Sequence, residues 1–282
     1  MLTTRLFDIP ICVLDLETTG ASVEYGDRVV EIGILRIENG QVVRSVDQLV
    51  NPGRHISGGA SAITGITLDM LMDKPCFGDC WQEVLELLNG AIVVGHNVGF
   101  DLSFLHGECR RLRVQFCEML GDPSVLDTVR IARKQFGRGG NGLQRLAARL
   151  GIIPAGAHRA LVDCHTTHRV LHEMLHPHGG WDVTLERANE LQGIHLKLSA
   201  MPGGKTVLPT EIAEALVDGS RVRISYLDAK NRRSDREVTP KFVRRISGAL
   251  TLVAHCHLKE EQRMFKIDRI ISTTSVSSLF YV

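Results

Sequence analysis

The sequence predicts a mixed α/β sheet with helices on its faces, followed by a small strand-rich module. Three observations lead there. Short apolar runs open the chain in an antiparallel pattern and then alternate with helical periodicities. A Pro/Gly cluster, Met201-Pro-Gly-Gly204, interrupts the chain, and strand-like segments dominate beyond it. The charge changes sign at the same place. Residues 205–282 carry 14 Lys+Arg against 9 Asp+Glu, whereas the whole chain has a net charge of only +1.

The elements follow in order. Ile11-Cys-Val-Leu14 reads as a buried strand. Residues 28–36 and 41–50 read as two further strands, joined by the hairpin signal Asn39-Gly40. Residues 81–88 have helical apolar spacing and stop at Asn89-Gly90. Ala91-Ile-Val-Val94 is another buried strand, and residues 101–112 a helix. Residues 124–126 form a short strand, and residues 128–136, 143–150 and 159–175 read as helices. After a short helix near 184–191 and the break at 201–204, residues 209–216 read as a helix. Residues 221–227, 236–246, 250–257, 263–267 and 271–276 read as strands of a small barrel or sandwich. The domain boundaries read from this pattern are 1–178 for the first module, 179–204 for a linker, and 205–282 for the second.

Composition narrows the class. With 44% apolar and 23% charged residues over 282 positions, the chain reads as an ordinary folded protein. The apolar runs are too short to span a bilayer, and Met1-Leu-Thr-Thr-Arg holds no signal-peptide core, so no membrane association is expected. Seven cysteines at scattered spacings form no disulfide framework, and a reducing, cytoplasmic setting is expected. The basic second module suits a polyanion such as nucleic acid, or is a small domain with surplus surface cations.

Four carboxylates stand out by context. Asp15 and Glu17 lie in Leu14-Asp-Leu-Glu-Thr-Thr-Gly20, at the end of the first strand. A period of two puts both side chains on one face. Two carboxylates that close need a cation or a raised pKa, and oxygen-only ligands suit Mg²⁺ or Mn²⁺; a solvated strand end is the alternative. Asp101 closes Gly95-His-Asn-Val-Gly-Phe-Asp101 at the start of a helix, where the helix dipole alone also favours a carboxylate. Asp163 closes Ala157-His-Arg-Ala-Leu-Val-Asp163. His158 precedes it by five residues, so loop geometry decides whether the imidazole faces the same site.

In this order and at these boundaries, Asp-x-Glu-Thr, His-Asn-x-x-Phe-Asp and His-x-Ala-x-x-Asp resemble the DEDDh 3′–5′ exonucleases. This is the family of the proofreading epsilon subunit of bacterial DNA polymerase III. Ile63-Thr-Gly-Ile-Thr67 and Asp127-Thr128 add to the resemblance, which runs from about residue 10 to 175. It implies an RNase H-like sheet. It also implies two divalent ions, Mg²⁺ or Mn²⁺, about 4 Å apart on Asp15, Glu17, Asp101 and Asp163. His158 would take the proton of the attacking water, since an imidazole exchanges protons near neutral pH. The implied reaction is stepwise hydrolysis of single-stranded nucleic acid, DNA favoured over RNA, to nucleoside 5′-monophosphates. Thr18 would contact the terminal nucleotide, and Asn97 and Phe100 would shape the path of the strand.

Residues 207–280 resemble a WYL domain, a small SH3-like or Sm-like β-barrel. Ala215-Leu-Val-Asp-Gly219, Arg223-Ile-Ser-Tyr226, Arg236-Glu-Val-Thr-Pro240 and the stretch 261–270 carry the resemblance. The eponymous Trp-Tyr-Leu is replaced by Leu250-Thr-Leu252. The resemblance implies binding of nucleic acid or a nucleotide-like ligand by Tyr226, Arg236, Arg263, Lys266 and Arg269, unless these cations pair with Glu237, Glu261 and Asp268. Two rival functions remain: a non-catalytic nucleic-acid-binding regulator, and a proofreading subunit docked to a polymerase.

Weaker patterns complete the reading. His165, His168, His172 and His176 fall on one helical face, where they would bind zinc or simply meet solvent. Cys76 and Cys80 read as free thiols, and the Gly-rich stretch 137–142 as a flexible connection. His255-x-His257 puts two rings on one strand face without a third ligand.

Overall fold

The computed structural model describes residues 2–201, 208–229, 232–246 and 249–276. Six strands form the first sheet: β1 (Ile11–Thr18), β2 (Val29–Glu38), β3 (Gln41–Leu49), β4 (Ile92–Gly95), β5 (Ser124–Asp127) and β6 (Leu196–Lys197). Their order is β3-β2-β1-β4-β5-β6. The meander β1–β3 is antiparallel, β4 and β5 run parallel to β1, and β6 returns antiparallel beside β5. The helices are α1 (Gly58–Thr64), α2 (Leu68–Leu71), α3 (Phe77–Leu88), α4 (Gly99–Leu112), α5 (Phe116–Leu120), α6 (Thr128–Phe136), α7 (Leu143–Arg149), α8 (Ala160–Leu175) and α9 (Leu185–Gln192).

Alternation along β1 divides the core. Cys12, Leu14 and Leu16 face one side and pack with Trp81, Val84 and Leu87 of α3 and Leu102 and Leu105 of α4. Ile11 and Val13 face the other side, with Ile131 of α6, Leu146 of α7, and Cys164, Val170 and Leu171 of α8. The expected linker is largely part of this unit. Leu185, Ala188 and Leu191 of α9 join the second core, β6 extends the sheet, and residues 202–204 lie outside the described residues.

Among its described residues the second module has one α-helix, α10 (Thr210–Asp218), and the strands β7 (Val222–Leu227), β8 (Arg233–Ile246), β9 (Ala249–Cys256), β10 (Glu261–Lys266) and β11 (Ile270–Ser275). All pairs are antiparallel, in the order β10-β9-β8-β7-β11. The expected closed barrel is not completed among the described residues, where β10 and β11 are edge strands. Ile212 and Ala215 of α10 pack on Val222, Ile224, Leu252 and Phe265 of the sheet.

The two modules share a polar seam. The buried carboxylate of Glu214 on α10 accepts from Arg133 Nε at 3.0 Å and from Asn141 Nδ2 at 2.9 Å. Arg145 on α7 donates to the Ser275 carbonyl at 3.0 Å. The stretch 137–142, read as a loose connection, is therefore a docking loop: Asn141 is fully buried, and a Cβ on Gly142 would meet the Glu211 carboxylate. Among the described residues, no helix is long and apolar enough to cross a membrane.

Candidate active site

Continuing the Ile11 and Val13 alternation turns Asp15 and Glu17 toward the side of the sheet covered by α8. Asp163 sits in the first turn of α8 and Asp101 in the first turn of α4. Asp101 is only 4% exposed, and its Oδ1 accepts the N–H of Leu16, between the two strand carboxylates, at 2.9 Å. Asp163 Oδ2 accepts the N–H of His158 at 2.9 Å, and its Oδ1 accepts from Gln144 Nε2 at 2.8 Å. His158 takes a left-handed backbone, φ 59°, immediately before the cap residue of α8. This turn brings the imidazole to the carboxylates: one ligand atom from each of Glu17, His158 and Asp163 lies within 4.8 Å of the other two.

The cluster is electrostatically uncompensated. Burial, then repulsion by Asp101 and Glu17, holds the Asp15 carboxyl well above the ordinary carboxylate range. Glu17 is raised likewise, by burial and then by Asp163. Burial pushes Asp101 up to about 8, against the opposing hydrogen bond from Leu16. Burial also raises Asp163, against the hydrogen bond from His158. The nearby cation, Arg159, is already engaged. Its Nε donates to Glu31 Oε1 at 2.8 Å, and Glu31 Oε2 accepts the Ala160 N–H at the start of α8 at 2.9 Å. An array of four carboxylates with oxygen donors and too little positive charge fits a hard divalent cation.

A cleft of about 640 Å³ opens above the cluster. Glu17, His158 and Asp163 line it, as do Thr18, Asn97 and Phe100. Thr18 Oγ1 donates to the Gly20 carbonyl at 2.7 Å. Asn97 has φ 65°, and its N–H donates to Asp127 Oδ1 at 3.0 Å; the same oxygen caps α6 through Val129. The Asp127-Thr128 pair is thus structural support for the loop that carries Asn97. The opposite wall belongs to the second module: Ile267, Ile270, Ile271 and the hydroxyls of Ser272, Thr273 and Thr274.

Several of these supports were not singled out in the sequence. Gln144 orients Asp163, and Glu31 with Arg159 anchors the start of α8. Gly33, paired with Asp15 across the sheet, lets α8 approach so closely that a Cβ would lie 2.3 Å from the Ala160 carbonyl carbon. The only signal for Gly33 was a glycine inside an apolar strand.

Other expected sites fare differently. The rings of His168 and His172 pack on Trp181, at centroid distances of 5.5 and 5.8 Å, and burial pushes His168 down to about 4. Together with exposed His165 and His176, they bring no three metal-ligand atoms together among the described residues. Cys76 and Cys80 are free thiols. In the second module, Tyr226 lies edge-on to Phe265 at 5.1 Å, with its hydroxyl accepting the Lys266 N–H at 3.4 Å. Arg236 is half-buried, and its Nε donates to Ser234 at 3.2 Å, while Arg263 lies 3.7 Å from Glu261. Arg269 is half-buried in the turn before β11. Strand alternation puts Arg263 on the Phe265 side of β10 and Lys266 on the other, so these two cations do not share one face. The Asp268 side chain lies outside the described residues.

The exonuclease family model matches residues 12–171, and the WYL domain model matches residues 208–275. The chain is 36% identical over 164 residues to the 3′-5′ exonuclease DinG of Bacillus subtilis, covering 58% of this chain and 17% of that protein. It is 39% identical over 169 residues to a DNA polymerase III subunit epsilon-like protein of Rhodobacter capsulatus, covering 58% and 23%. The match thus spans less than a quarter of either curated relative. The nuclease domain of 3′hExo, a DEDDh family member solved bound to rAMP, shares the fold. Its TM-score is 0.54 at 17% identity, over 63% of this chain and 96% of that one. Through residues 12–171 the chain belongs to the exonuclease family, and a WYL domain follows.

Proposed function

We propose that the chain is a 3′–5′ exonuclease that removes nucleoside 5′-monophosphates from single-stranded nucleic acid, DNA favoured. The observation that carries this reading is the convergence of Asp15, Glu17, Asp101 and Asp163 with His158, of which Glu17, His158 and Asp163 line one cleft. The four carboxylates would hold two divalent ions, Mg²⁺ or Mn²⁺. When bound, such ions polarise the scissile phosphate and offset the charge that develops on it.

The chain's own groups account for the remaining requirements. His158 takes the proton of the attacking water at an imidazole nitrogen. The new bond is from water oxygen to phosphorus. The bond broken is from phosphorus to the 3′ oxygen of the penultimate nucleotide, which leaves as an alkoxide and takes a proton from solvent. Asp163 fixes His158 through its backbone N–H, and Gln144 fixes Asp163, so proton acceptor and carboxylate move as one unit. Thr18 contacts the terminal nucleotide, and Asn97 and Phe100 shape the path of the strand. The β11 wall narrows the cleft from the far side and favours an unpaired strand over a duplex. In the WYL domain, Tyr226, Arg236, Arg263 and Arg269 are proposed to meet a nucleic acid or nucleotide-like ligand.

Digestion of a single-stranded oligodeoxynucleotide, with the products resolved by mass, tests this reading. Nucleoside 5′-monophosphates are expected. Internal fragments or 3′-phosphates would overturn it.

A further inference from the structure

The geometry points to a second metal site, of zinc type, on the outer face of the C-terminal sheet, formed by His255, His257 and Glu260. The two histidines stand two residues apart at the end of β9, so their rings share one face, with centroids 4.8 Å apart. The turn into β10 supplies the third ligand. Glu260 takes a left-handed backbone, φ 50°, that a side-chain-bearing residue seldom adopts, and its Oε2 lies 3.5 Å from His255 Nε2. One ligand atom from each of the three residues lies within 4.8 Å of the other two. Metal–ligand bonds of about 2.0–2.1 Å in tetrahedral geometry put donors about 3.3 Å apart. The His255–Glu260 pair is already near that spacing, and side-chain rotation closes the rest.

The surroundings suit a borderline cation. Thr239 Oγ1 lies 2.9 Å from His257 Nε2; a proton directed there leaves the lone pair on Nδ1 and fixes the ring. Glu260 contributes the negative charge. Two imidazoles and one carboxylate select zinc-like metals over Mg²⁺, which takes oxygen ligands. With three protein ligands, the fourth position is open to water. The bound ion would tie the 257–260 turn to the sheet. The site lies beside β10, at the edge opposite to β11, and is independent of the nuclease cleft.

The test is a titration of the full chain with Zn²⁺, and with Co²⁺ for its visible spectrum, in excess Mg²⁺ to occupy the carboxylate cluster. The expected result is one zinc-type site with a tetrahedral Co²⁺ spectrum, lost in His255→Ala and His257→Ala. Glu260→Gln, an exposed change that leaves the fold intact, weakens binding at least tenfold, and Thr239→Val weakens it about 10- to 100-fold. Zinc raises the unfolding temperature of the wild type but not of His257→Ala, and nuclease activity is equal in both. No zinc-type site in the wild type, or unchanged affinity and spectrum in the folded Glu260→Gln and His257→Ala variants, overturns the proposal.

Discussion

Proton release on cation binding follows directly from the carboxylate cluster. Burial holds Asp101 at about 8, so at pH 7 it is largely protonated in the metal-free fold. Ligation requires the ionised form. Asp101 therefore releases up to about one proton per binding event at pH 7, and the raised Asp15, Glu17 and Asp163 add to it. Below pH 8 the apparent affinity for Mg²⁺ or Mn²⁺ rises about tenfold per pH unit for each proton released. Stability follows the same groups. Their folded-state pKa values lie above the unfolded ones, so their contribution to metal-free stability is present at low pH and is lost as pH rises through those raised values, about 8 for Asp101. Divalent cations restore it. Calorimetric titrations in buffers of different ionisation enthalpy, from pH 6 to 9, count the protons. Asp101→Asn should lower the count at pH 7. Release of no protons in the wild type, or an affinity independent of pH, would refute the electrostatic account.

Three further outcomes follow from the supports of the site. Gly33→Ala forces α8 off β2 and carries Asp163 away from Asp15; an ångström of misplacement costs about 10²-fold in rate, measured as kcat on a single-stranded substrate. Arg159→Ala removes the half-exposed ion-pair partner of the buried Glu31; denaturant unfolding should show a loss of about 1–3 kcal/mol. Ser272→Trp adds bulk to an exposed position of the cleft wall. Turnover of single-stranded DNA should fall while a mononucleotide ester is spared, and equal loss on both would show that β11 does not line the substrate path.

The residues proposed to carry chemistry were legible where their spacing is local. Asp15 and Glu17 follow from strand alternation, and the motifs around Asp101 and Asp163 place those carboxylates at helix starts. What holds them was not legible, because it acts across the chain. Glu31 meets Arg159 and Ala160 over more than 120 residues, and Gln144 reaches Asp163 from another helix. The short helices α1, α2 and α5 have too few turns for a periodicity to register. The two-residue strand β6 is defined only by its pairing with β5. The histidine stripe on α8 had the spacing of a metal site, but Trp181 from beyond the helix covers it. The reverse holds for His255 and His257, whose third partner becomes visible only when the turn at Glu260 is folded.

The most direct measurement is the pattern of shortening of a 5′-labelled single strand by the wild-type chain with Mg²⁺ or Mn²⁺, beside EDTA and the Asp163→Asn variant. A single-nucleotide ladder that retains the 5′ label, abolished by EDTA and by the substitution, is the predicted result. Intact strand in every lane, with binding that persists and weakens as salt rises, would contradict catalysis and leave a nucleic-acid-binding protein in its place.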